Sequence, residues 1–283
     1  KILFNKINIK KNNDKINFND IYFSKNFKII DFKKINLEYL DINNSKNDIS
    51  IVQSKKNTYI VQGKNFNLNK IIDQILFEDT NETKIFDENE RIFDINFKKN
   101  YLDFDHHILN LQGKVKVKGN DIYDVSLKST FPNNDPMSIS VKTKDNQKVT
   151  TFFSGQAKPF VKKYKFVKGF ERGKIDFYSV KKNKVSKSQL KIFEFSLKDL
   201  PALTKILTLA SLQGIADILS GEGVRFDELE MNFTNKKNLM KINELYAIGP
   251  AISILMEGYI EKDKIISLKG TLVPATTINK FVG

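Results

Sequence analysis

The residue types able to do chemistry are sparse in this chain, and they fall in three places. The two histidines are adjacent, His106 and His107, inside DFDHHI with Asp103 and Asp105. Imidazoles and carboxylates are metal donors, but neighbouring side chains on a strand point to opposite faces, so the pair cannot chelate together. They read as polar residues at a strand end. Asp227 and Glu228 in FDELE invite comparison with a general acid–base pair. Between Phe226 and Leu229 they read instead as a strand bend with solvated carboxylates. SGEGVRF (220–226) holds a G-x-G. A phosphate-binding glycine loop follows a strand and opens a helix; here a helix-like run comes first, so the glycines read as a cap and a turn. The chain holds no G-x-S-x-G, P-loop or H-E-x-x-H motif. Cysteine is absent, which removes thiolate nucleophiles and cysteine-based zinc sites. No catalytic residue, metal ligand or cofactor is assigned, and the chain reads as a non-enzyme.

The elements around these residues follow a period of two. Ile16 and Phe18 alternate with polar neighbours, as do Ile35, Leu37 and Tyr39; Phe93, Ile95 and Phe97; Val115 and Val117; and Met137, Ile139 and Val141. Such alternation predicts strands with one apolar and one wet face, as antiparallel sheets have. Hairpin-like clusters such as NNSKND, KGND and PNNDP separate them. The spacing predicts roughly 16–18 short strands. Helical spacing is confined to 67–77, a turn within 158–166, and 201–219. At about 4.8 Å per strand, an open sheet of this kind would run about 80 Å. Two or three short helices cannot cover it. Either the sheet folds onto itself as a sandwich, or it curls into a trough with an apolar lining. Periodicity does not separate the two; the scarcity of covering helices favours the trough.

The segment 201–219 is the strongest helix. Leu203, Ile206, Leu207, Leu209, Leu212, Ile215, Ile218 and Leu219 make a broad apolar surface, with Pro201 in the first turn and Gly221 past the last. A spanning helix needs about 20 largely uncharged residues; this run is shorter and carries Lys205 and Asp217. It reads as an amphipathic helix resting in or across the trough. The formal charge of +14 comes from lysine spread along the whole chain, with only three arginines. That pattern fits solvated strand faces and lacks the clustering of a nucleic-acid groove reader; no nucleic-acid partner is assigned.

Four blocks in the last third carry a resemblance: the leucine-rich run from Asp199, SGEGVRFDELEMNF, YAIGPAISILMEGYI and LKGTLVPATTINKFVG. In order and spacing they resemble the C-terminal region of the AsmA-like, YhdP-type family, relatives of TamB. Upstream, KPFVKKYKFVKGFERGKIDFYSV fits more loosely, and residues 1–150 match mainly in their strand pattern. An aromatic common near Thr276 in the family is absent. The resemblance implies a mainly β fold: a long, twisted, mostly antiparallel open sheet curled into a groove (a β-taco), with two or three short helices. It divides the chain into a repeating groove segment (1–155) and an AsmA-like C-terminal region (156–283), truncated at its C-terminal end. The chain begins without Met and ends in mid-pattern, so it reads as a piece of a longer protein. The implied function is bridge-like phospholipid transport between inner and outer membrane, supporting outer-membrane integrity. The implied place is the periplasm of a Gram-negative bacterium, with an inner-membrane tether N-terminal to this chain. A non-conducting structural or scaffold β-protein of the envelope is the alternative. The expected lipid-contact residues are Phe93, Ile95, Phe97, Val115, Val117, Ile139, Val141 and Phe226 on strands, and Leu207, Leu212 and Ile215 on the helix. The expected partners are phospholipid acyl chains and the two membranes.

Overall fold

A computed structural model describes residues 1–41, 44–77, 85–161, 169–198, 221, 223–261 and 265–274. The chain forms two compact units, 1–143 and 144–283. The segment 201–219, with Leu207, Leu212 and Ile215, lies outside the described residues.

The first unit contains strands β1 (Ile2–Lys11), β2 (Asp14–Phe23), β3 (Ile29–Leu40), β4 (Lys46–Lys55), β5 (Thr58–Asn67), β6 (Glu90–Tyr101), β7 (His107–Lys118), β8 (Asp121–Thr130) and β9 (Pro136–Lys144), with helix α1 (Asn69–Phe77) after β5. Each strand pairs with the next in sequence, antiparallel at every step but one. The exception is β5–β6, which is parallel. A parallel step needs a crossover, and residues 68–89, including α1, supply it. Period two in the sequence cannot reveal this step, because it is the same for either direction.

The second unit contains β10 (Gln147–Ser154), the one-turn helix α2 (Lys158–Val161), β11 (Phe170–Lys182), β12 (Val185–Leu197), β13 (Val224–Lys236), β14 (Leu239–Ile248), β15 (Ile252–Glu261) and β16 (Ile265–Pro274). All its pairings are sequential and antiparallel. Among the described residues β1 pairs only with β2, and β16 only with β15, so the sheet is open. The chain is mainly β, mostly antiparallel, with α1 and α2 as its described helices.

From β3 onward the connections sort by edge. In the first unit the tight turns at Asn57 (φ 58°) and Gly119 (φ 61°) lie on one rim, which we call the turn rim. Residues 41–45, α1, 102–106 and 131–135 lie on the other, the loop rim. The second unit repeats this, with turns at Asn183–Lys184 and Lys237 opposite α2, Lys198 and Gly223.

The alternation of the strands is broken along lines that cross them. Between Gly63↔Phe97 and Asn65↔Lys99 the register steps over Lys64 and Lys98, and between Phe97↔Leu111 and Lys99↔Leu109 over Lys98 and Asn110. A second line steps over Asn5, Asp20 and Lys33 on β1–β3. In the second unit a third runs through Gly173, Glu194 and Asp227 on β11–β13. Asp20, Asn110, Arg172, Gly173 and Glu194 have positive φ, the mark of bulges that bend a strand and shift its facing by one residue. Unbroken alternation would aim Lys33, Glu194 and Asp227 at the apolar face; all three are exposed. The kinks thus keep charge out of the lining and curve the sheet. Asp227 and Glu228 belong to this device, inside the continuous strand β13.

Candidate apolar groove

Register partners share a face, so the pairing identifies the lining. In the first unit Ile7, Phe18, Ile35, Ile51, Val61, Ile95, Gly113, Leu127 and Ile139 oppose one another in turn across all the strands from β1 to β9. A parallel row runs Tyr59, Phe93, Val115, Val125, Val141. Another runs Ile9, Ile16, Leu37, Ile49, Gly63, Phe97, Leu111. In the second unit Phe152, Phe177, Leu190, Met231, Leu245, Met256 and Gly270 form the corresponding row.

The structure brings seven of the expected lining residues onto one face of the first unit, with unequal exposure. Phe93, Ile95 and Val115 are half-buried, whereas Phe97, Val117, Ile139 and Val141 are buried against the chain itself. Phe226 belongs to the second unit and is also buried, stacked on Phe195 at 5.1 Å. There α2 leans over the inner face: Phe160 meets Phe152 edge-on at 4.7 Å, and Ala157 N–H donates to Gly173 O at 2.7 Å. Gly173 permits this approach, since a Cβ there would meet Phe195 Cβ at 3.1 Å.

Sequence reasoning missed the densest part of the first unit. Phe32 on β3 stacks on Tyr59 at 4.4 Å, and Tyr59 on Phe93 at 5.3 Å. In a flat sheet β3 and β5 would stand about 9.6 Å apart, so the stack records a tight curl. The Tyr59 hydroxyl donates to Asp31 Oδ1 at 2.6 Å, and Gln53 Nε2 donates to the same oxygen at 2.8 Å. Burial, then the carboxylate bond, pushes the Tyr59 phenol above its ordinary range, so it stays a neutral donor. Beside it Arg91 is fully buried. Its Nη2 donates to Ile29 O at 3.0 Å, Ile30 O at 2.7 Å and Asp87 Oδ1 at 2.5 Å; Nη1 donates to Asn89 O at 3.1 Å. The guanidinium lies 4.8 Å from the centroid of the Phe86 ring. The one available signal was rarity: Arg91 is one of three arginines, next to the alternating FDINF.

The histidines fall at a strand end, as expected, with one of them in the loop that precedes it. His106 lies in the 102–106 loop and only His107 enters β7. Ligand-type atoms of Asp103, Asp105 and His106 lie within 4.8 Å of one another. Asp103 Oδ1 already accepts from Asp105 N–H at 2.8 Å and His106 N–H at 2.7 Å, with His106 Nδ1 at 2.8 Å. The arrangement is a self-satisfied turn. On the outer face of the second unit Glu230 collects Lys191 Nζ at 2.8 Å, the Tyr246 hydroxyl at 2.8 Å and Asn232 Nδ2 at 3.0 Å. These bonds hold its carboxyl down at about 2. No helix among the described residues is long and apolar enough to cross a membrane. No protein-family model, curated protein or solved structure matches the chain.

Proposed function

We propose that this chain carries phospholipid acyl chains along its apolar inner face, as part of a bridge between the inner and outer membranes that supports outer-membrane integrity. The observation that supports it is the unbroken apolar row from Ile7 to Ile139, with a kink on β3 that turns Lys33 outward. An acyl chain on such a face gains about 25 cal/mol per Å² of apolar area removed from water. Similar side chains on successive strands leave no single deep well to trap it. No bond is made or broken. Headgroups stay at the rim. There Lys148 opposes Lys181 across β10–β11, two ammonium groups of the sign that attracts a phosphodiester. The periplasm, with a membrane tether N-terminal to this chain, is the compartment this reading requires.

Photoreactive residues placed one at a time at Phe93, Ile95 and Val115 test the reading in cells. Capture of phospholipid there, and none from Asp94 or Lys114 on the opposite face, is the expected result. Equal capture from both faces, or from the outer face alone, sinks it.

A non-conducting scaffold is the second reading, and the filled stack of Phe32, Tyr59 and Phe93 favours it. Native mass spectrometry of gently purified protein separates the two. Bound phospholipid supports the carrier, and lipid-free protein supports the scaffold.

A further inference from the structure

Residues 85–91 form a strap across the turn rim of the first unit. Ile29 N–H donates to Ile85 O at 2.9 Å and Asp87 N–H to Ile29 O at 3.0 Å, so Phe86 bridges β3 in parallel fashion. Arg91 then enters β6 while holding two carbonyls of β3. In a flat sheet these strands would stand about 14 Å apart, with β4 and β5 between them. The strap therefore closes β3–β6 into a near-ring. Ile21, Ile29, Phe32, Ile35 and Tyr59 fill its interior, all at most 9% exposed.

We propose that this strap is a gate on the lipid path. With Arg91 latched to β3, the inner face is blocked between β3 and β6; with the latch released, the aromatic stack parts and the face is continuous. The inference rests on the acyl-chain reading of the groove. Three features make the latch releasable. First, the charge partner of Arg91 is Asp87, a residue of the strap itself. Opening breaks bonds to the neutral carbonyls of Ile29 and Ile30 and leaves the ion pair intact, which avoids baring a buried charge. Second, Arg91 Nε is buried without a hydrogen-bond partner, so the closed state is not fully satisfied. Third, residues flanking the plug on the same face, Phe18, Leu37, Ile51 and Phe93, are only half-buried, so the surface on either side remains open to a chain.

The chain has no cysteine, so the pair Ile29→Cys and Phe86→Cys forms a lock in a clean background; facing residues on neighbouring strands suit a disulfide. The oxidised and reduced forms of this one variant are each exposed to vesicles of phosphatidylglycerol bearing a diazirine in one acyl chain. Adducts are then mapped by mass spectrometry. The expected result is a drop of about tenfold in adducts at Phe32 and Tyr59 on oxidation, restored by reductant, with adducts at Val115 unchanged. Arg91→Gln in the otherwise unaltered chain is expected to raise adducts at Phe32 and Tyr59. Equal labelling at Phe32 and Tyr59 in both redox forms, with Val115 labelled, overturns the gate and leaves the groove standing. No adduct at any of the three in either form overturns the groove reading, and the gate falls with it.

Discussion

The two units bend the same kind of sheet by different means. In the first, curvature is held by a latch: a buried arginine, a bridging strap and a three-ring stack. In the second, it rests on a kink through Arg172 (φ 63°), Gly173 (φ 84°) and Glu194 (φ 56°). Asp and Asn tolerate the left-handed region, as at Asp20 and Asn110; Arg and Glu do so only with strain. In the first unit, side-chain bonding that can be undone is added to kinks at residues that tolerate them. In the second, curvature is written into the backbone.

That contrast can be broken most forcefully at Arg91. Arg91→Leu removes the guanidinium bonds to the Ile29 and Ile30 carbonyls and the charge partner of Asp87, and is expected to destabilise by about 3–5 kcal/mol in urea denaturation. A loss below about 1 kcal/mol would show that the latch holds nothing. Next comes Gly113 (φ 143°), in the longest apolar row, where an added Cβ would sit 1.9 Å from Ser126 O. Gly113→Ala is expected to cost about 2–4 kcal/mol, read by the same titration.

In the second unit the sign reverses. Glu194→Gly relieves the left-handed strain and is expected to stabilise by about 1 kcal/mol, net of the exposed ion pair to Lys174. Destabilisation would mean the kink is not strained. The smallest effect lies at Glu230. Its carboxyl is held at about 2 against an ordinary 4.5, so its contribution is complete above pH 4.5 and is lost as the pH falls towards 2. Glu230→Gln is expected to flatten the acid limb of the stability profile in that window alone.

Much of the fold was legible because period two is a direct image of a half-wet strand. Ile95, Val115 and Ile139 announced their shared face through their own neighbours. The bulges were not legible: nothing in FKKNY says that Lys98 is stepped over, because a kink belongs to three adjacent strands at once. The parallel β5–β6 step was equally silent. Tyr59 and Arg91 were missed for a related reason. Their burial comes from strands brought together by curvature, and alternation carries no information about curvature. The histidines were legible as strand-end residues; that His106 stays in the loop was not, because DFDHHI contains both a turn and a strand start and Asp103 holds the loop amides.

The parallel step also has a kinetic consequence. Every other pairing in the first unit joins strands separated by short connections, so each can close as a local hairpin. Only β5–β6 must bridge from Asn67 to Glu90, a closure entropically dearer than a two-residue turn by about 2 kcal/mol. Sequence-local contacts form quickly and distant ones slowly. Refolding should therefore show hairpins assembling on either side of a late event, the docking of β6 beside β5. Only that event brings Arg91 to Ile29. The last contact made on folding would then be, on the proposed reading of the groove, the first one an entering acyl chain undoes.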